Sequence, residues 1–161
     1  MKIQGNKIIP PKTITVLENG LPLELLVSSI LCCNSFVDHT CIWMKNNERH
    51  KVSGRLKKIE AMIDSVDFYR IDRYCLINLD KIIEIIYNDV DGVIRFNEIA
   101  KIKVSVAKIW SLLKLINDQN MGRVFRGFDS TNLSAKDNGN WMIIYHHEHG
   151  FCKMFQPCIA V

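Results

Sequence analysis

The sequence has no apolar run long enough to cross a bilayer. Its longest nearly uncharged stretch near the start, Leu21 to Val37, is interrupted by Pro22 and Glu24 and falls short of the about 20 apolar residues a spanning helix needs. Met1 to Lys12 carries Lys2, Lys7 and Lys12 but no apolar segment followed by a small-residue cleavage site, so no secretory signal is expected and the chain should stay in the cytoplasm without membrane insertion. No Cys-x-x-C spacing occurs among Cys32, Cys33, Cys41, Cys75, Cys152 and Cys158. In a reducing compartment they read as buried thiols rather than bridges. There is also no Gly-rich phosphate loop, no nucleophile with a paired base and no matched pair of carboxylates, so neither catalysis nor a cofactor is expected. Internal repeats and low-complexity tracts are missing too.

What is present suits one globular core: 161 residues, 48% hydrophobic, 24% charged, with a formal net charge of +4. The basic excess lies in the first third, where residues 1–55 hold seven Lys or Arg against four Asp or Glu. Lys45, Arg49, Lys51, Arg55, Lys57 and Lys58 surround only Glu48 and Glu60, a modest electrostatic footprint.

Asn19-Gly20, Asn46-Asn47 and Asp91-Gly92 each separate two β-like segments and supply the positive φ of tight hairpin turns. Helical spacing breaks this pattern twice. Leu56, Ile59, Met62, Ile63 and Val66 form one face, with Ser53 or Gly54 placed to start the helix. Val106, Ile109, Trp110, Leu113 and Ile116 form another after Ser105. Just before it, Ile102 and Val104 alternate with Lys101 and Lys103, as one buried and one solvated strand face require. Beyond Asn117 the segments 118–122 and 130–140 turn rich in Asn, Asp, Ser and Gly, which marks a boundary. Trp141 to Tyr145 and Phe151 to Phe155 then read as a terminal hairpin. His146, His147, His149, Cys152 and Cys158 are zinc-compatible residue types, but they lack a ligand frame and no metal is expected.

The most informative stretch is Phe68-Tyr69-Arg70-Ile71-Asp72-Arg73-Tyr74-Cys75-Leu76-Ile77-Asn78-Leu79-Asp80-Lys81-Ile82. It resembles the LytTR family of bacterial DNA-binding domains, whose central pattern is F-x-R-I-H-R-S-Y-[LIV]-V-N-L-x-x-I. Phe68, Arg70, Ile71, Arg73, Leu76, Asn78, Leu79 and Ile82 match it, and Ile102-Lys103-Val104-Ser105 is similar to the family's closing I-x-V-S. The resemblance covers roughly residues 12–117, leaving an N-terminal arm of residues 1–11 and a C-terminal extension of residues 118–161. It implies a mainly β fold with two or more helices, which reaches base edges in successive major grooves through loops.

Carried over by position, the resemblance implies DNA contacts at His39, Arg70, Arg73, Lys103 and Lys108, and Lys45 of the basic cluster joins them. Arg73 could clamp a phosphate or pair bidentately with guanine. Asp72 replaces the motif's His, and Val106 with Ala107 stand where the family has an Arg. Asp72 would either repel phosphate or hold Arg70 or Arg73 in place. Asn78, Phe68, Leu76, Leu79 and Ile82 read as structural. The favoured expectation is a transcription regulator of duplex DNA without a receiver domain, compatible with a homodimer on DNA and a regulatory protein partner. The alternative is a LytTR-derived protein-interaction module that has lost direct DNA reading.

Overall fold

Turn chemistry and alternation place the first strands. The computed structural model describes residues 2–4, 7–87, 89–118, 141–146 and 151–155, with side chains for 8–87 and 89–116. These divide into two units, Met1–Leu79 and Asp80–Val161.

In the first unit, β1 (Lys2–Gln4) pairs with β2 (Lys7–Ile9). β3 (Thr13–Glu18) pairs with β4 (Leu21–Leu26) across Asn19-Gly20. The φ values there, 51° and 76°, are the left-handed pair that a two-residue hairpin turn demands, and Gly20 adopts its value without steric cost. Ile14 and Val16 face inward while Thr13, Thr15 and Leu17 face out. β5 (Ile30–Ser35), β6 (Thr40–Met44), β7 (Arg49–Val52), β8 (Phe68–Asp72) and β9 (Cys75–Asn78) form an antiparallel sheet in the order β7-β6-β5-β9-β8. Helix α1 (Leu56–Ile63) and the β3–β4 hairpin share a core with this sheet, built of Ile14, Val16, Leu25, Ile30, Cys33, Ile42, Val52, Leu56, Ile59, Ile63 and Leu76.

Cys33 lies in that core, while Cys32 next to it meets Asn34 (Sγ to Oδ1, 3.9 Å). The two thus occupy different packing environments, as their adjacency on a strand dictates. Cys32, Cys33, Cys41 and Cys75 are free thiols. Buried Asn78 donates to the Ile30 carbonyl at 2.8 Å, a structural bond.

Three local expectations need correction. Helix α1 ends at Ile63 because Asp64 takes a left-handed conformation (φ 39°), and Val66, expected on the buried face, lies beyond it and is exposed. The residue before α1 is Arg55, with no side-chain cap; Ser53 instead joins β3, donating its N–H to the Leu17 carbonyl. The turn at Asn46-Asn47 is longer than two residues, since β6 stops at Met44 and β7 starts at Arg49, with Asn47 left-handed at φ 68°.

In the second unit, β10 (Glu84–Tyr87), β11 (Asp91–Arg95) and β12 (Lys101–Ser105) are followed by α2 (Val106–Asp118), β13 (Trp141–His146) and β14 (Phe151–Phe155). Their antiparallel sheet runs β12-β11-β10-β13-β14. Asp91-Gly92 is not the hairpin turn. Both residues lie inside β11, where Gly92 pairs with Tyr87 of β10 and with Val104 of β12. Gly92 serves a different need: a Cβ there would come within 2.6 Å of Ile109 Cγ1 and 3.0 Å of Tyr87 Cβ, so its bare backbone lets α2 approach the sheet.

Ile94, Ile102 and Val104 on the strands and Ile109, Leu112, Leu113 and Ile116 on α2 are buried. Leu112 completes a face that the sequence pattern left incomplete, while Trp110 sits at its rim, edge-on to Tyr87 at 5.5 Å. On the same sheet, buried Glu84 is ion-paired across the strands with Arg95. Among the described residues no helix is long and apolar enough to cross a membrane, and none of their side chains form a metal-binding cluster. The histidines and cysteines of the C-terminal tract have side chains outside the described residues.

Candidate functional site

Pairing of β5 with β9 sets two connections of the first unit side by side. Asn34 opposes Cys75 in the register, and Ser35 N–H then donates to the Tyr74 carbonyl at 2.7 Å. The β5–β6 loop, residues 36–39, and the β8–β9 turn, residues 73–74, therefore emerge together at one end of the sheet. His39 and Arg73 share that end.

The β8–β9 turn is wired by the residues around it. Arg70 spends its guanidinium on three acceptors: Glu60 Oε2 (2.8 Å), the Arg73 carbonyl (2.8 Å) and the Asp72 carbonyl (3.2 Å). It is a strut between α1 and the turn. Asp72 Oδ1 accepts the Tyr74 N–H at 2.7 Å, the side-chain-to-backbone bond two residues on that Asp favours in turns. The carboxylate thus clamps the turn backbone, not an arginine. Among the described residues no ion pair links it to Arg70 or Arg73. The turn leaves Arg73 exposed, its guanidinium 4.6 Å from the centre of the Tyr74 ring. Stacking of this kind orients the cation while leaving its N–H edges open.

In the neighbouring loop, His39 lies only 18% exposed, stacked on Phe36 with centroids 4.9 Å apart, and its Nδ1 sits 2.6 Å from Asp38 Oδ1. That bond to His39 holds the exposed Asp38 carboxyl below its ordinary pKa. Phe36 N–H closes the loop on the His39 carbonyl at 2.8 Å.

The remaining candidates lie elsewhere. Lys45 follows the far end of β6, which starts one residue after His39 and so separates the two by roughly 20 Å along the strand. It borders a groove of about 580 Å³ lined also by Leu23, Glu24, Met44, Glu48 and His50. Lys103 and Lys108 belong to the second unit: Lys103 pairs with Asp91 at 2.7 Å, and Lys108 is exposed on the first turn of α2. The structure thus gathers His39 and Arg73, sets Lys45 at the opposite end of the strand and gives Arg70 and Lys103 partners within the protein. Sequence reasoning missed Tyr74 as a platform and the exposed pair Phe36 and Val37. The Asp-x-Tyr spacing was a usable signal for the turn; nothing local announced the stack.

Residues 23–117 match the sequence model of the LytTr DNA-binding domain family. The chain is similar in structure to a solved LytTr DNA-binding domain of a putative methyl-accepting/DNA response regulator from Bacillus cereus, with TM-score 0.54 and 15% identity. That similarity covers 65% of this chain and 95% of the other. A comparison with curated proteins returned no match.

Proposed function

Because the chain belongs to the LytTR family of DNA-binding domains, we propose that it is a transcription regulator that binds duplex DNA with sequence preference and that Arg73 is its principal base or phosphate contact. The observation that carries this reading is the exposed Arg73 guanidinium, which no carboxylate among the described residues neutralises and which Tyr74 holds in a defined direction. A planar fork presented in this way suits bidentate pairing to guanine or a phosphate clamp. His39, beside it, adds a ring edge at the same end of the sheet.

Selection from randomised duplexes, followed by binding across a salt series, tests the proposal. The expected result is a preferred sequence whose log affinity falls linearly with log salt, at a slope of about one unit per phosphate neutralised. Absence of salt-sensitive, sequence-preferring binding overturns it.

One set of observations favours a second reading, an interaction module that no longer reads DNA directly. Arg70 and Lys103 both spend their charge internally, and Val106 and Ala107 leave the first two positions of α2 without a cation. The same selection separates the two, since an interaction module recovers no preferred duplex.

A further inference from the structure

The β5–β6 loop carries an apolar tip that cationic contacts leave unused. Phe36 is more than half exposed and Val37 fully so, yet the loop around them is firmly held. Ser35 is tied to Tyr74, Phe36 N–H to the His39 carbonyl, and the Phe36 ring to the His39 ring. A large apolar side chain kept in water by a well-ordered loop gains free energy when a partner covers it. The partner's chemistry is indicated by the neighbours. Arg73 at the same end of the sheet favours an anionic surface, and the apolar feature that a duplex displays among its base edges is the C5 methyl of thymine. Asp38 refines the direction. Its exposed carboxylate is repelled by the phosphate backbone but tolerated at base edges, where cytosine N4 donates.

We propose that Val37, at the exposed tip of the β5–β6 loop, is a specificity-determining residue that recognises thymine by covering its C5 methyl group, beside the nucleotide engaged by Arg73. This inference rests on the DNA-binding reading above, and its test is separable from the test of that reading.

The full chain is titrated with the duplex recovered by selection and with copies in which one thymine at a time is replaced by deoxyuridine. Each replacement removes a single methyl and leaves the hydrogen-bonding edges unchanged. At one or two positions affinity should fall about fourfold, the worth of one buried methyl. Val37→Ala should bind the thymine and uracil duplexes equally, with an unchanged melting temperature because the side chain contributes no buried surface. Equal binding of every uracil duplex by the unaltered chain, with salt-sensitive sequence preference intact, overturns the thymine contact and leaves the DNA-binding reading standing. Retention of the thymine preference by Val37→Ala overturns its assignment to Val37. If no duplex is bound with sequence preference, both readings fall together.

Discussion

Arg70 and Arg73 are the same residue type three positions apart, and they end in opposite circumstances. The guanidinium of Arg70 bridges α1 to the turn through Glu60 and two carbonyls; that of Arg73 lies open over Tyr74. Arg70→Ala should therefore destabilise the protein by about 1–2 kcal/mol, because charge-assisted bonds are lost but the partly exposed ion pair is screened by solvent. Chemical denaturation measures this. Arg70→Lys should recover little of the loss, since an ammonium cannot reproduce the fork. Arg73→Ala should leave stability unchanged and cost about 1–3 kcal/mol of binding on the best duplex, with a much smaller loss on random DNA. Equal losses on both would make Arg73 a phosphate contact. Lys57→Ala, on the exposed face of α1, should weaken all sequences alike and lower the salt slope by about one unit or less.

At the scale of elements, the strands and helices follow from patterns, while their ends and contacts follow from neighbours. The alternation of Ile102 and Val104 with Lys101 and Lys103 gave β12 its two faces, and the structure has them so. The glycine of Asp91-Gly92 misled because the same residue type serves a left-handed turn and a close approach equally well. In β11 the second need prevails, with Ile109 filling the space a side chain would take. Gly92→Ala is expected to cost about 1–3 kcal/mol by overpacking, read from denaturation midpoints. In a background of Ile109→Ala the added penalty should shrink, a coupling that a double-mutant cycle resolves. Additive losses would show that α2 approaches the sheet for another reason.

Across the whole molecule, buried thiols link stability to alkaline pH. Burial pushes the Cys32 and Cys33 thiols up. Burial, with the Asp72 carboxylate second, raises Cys75 from 9.0 to about 12. A raised thiol value means that the folded state holds protons that the unfolded chain releases. The resulting stabilisation is fully present below pH 9.0 and is lost as pH rises from there toward about 12. Unfolding free energy measured against pH should accordingly decline above 9.0, and Cys75→Ala should flatten part of that decline. A profile unaffected by the substitution would place the alkaline sensitivity elsewhere.

The sequence by itself determined the mainly β class, the two helices and the family, because each is written in local spacing: period two, period 3.6 and the motif from Phe68 to Ile82. The reading of every cysteine as a buried thiol rested on residue type alone and fails at Cys41, which is half-buried. The tertiary structure decided how the candidate site is assembled. His39 and Arg73 lie far apart in the chain and reach the same end of the sheet only because β5 pairs with β9. Lys45 is nearer to His39 in sequence but is carried away by the length of β6. Arg70 and Lys103 look like free cations in one dimension and find their carboxylates at Glu60 and Asp91 only after folding. Local patterns encode which face of an element is apolar. They do not encode which distant charge a side chain will reach, because that depends on strand pairing across stretches of chain whose own sequences are silent about each other.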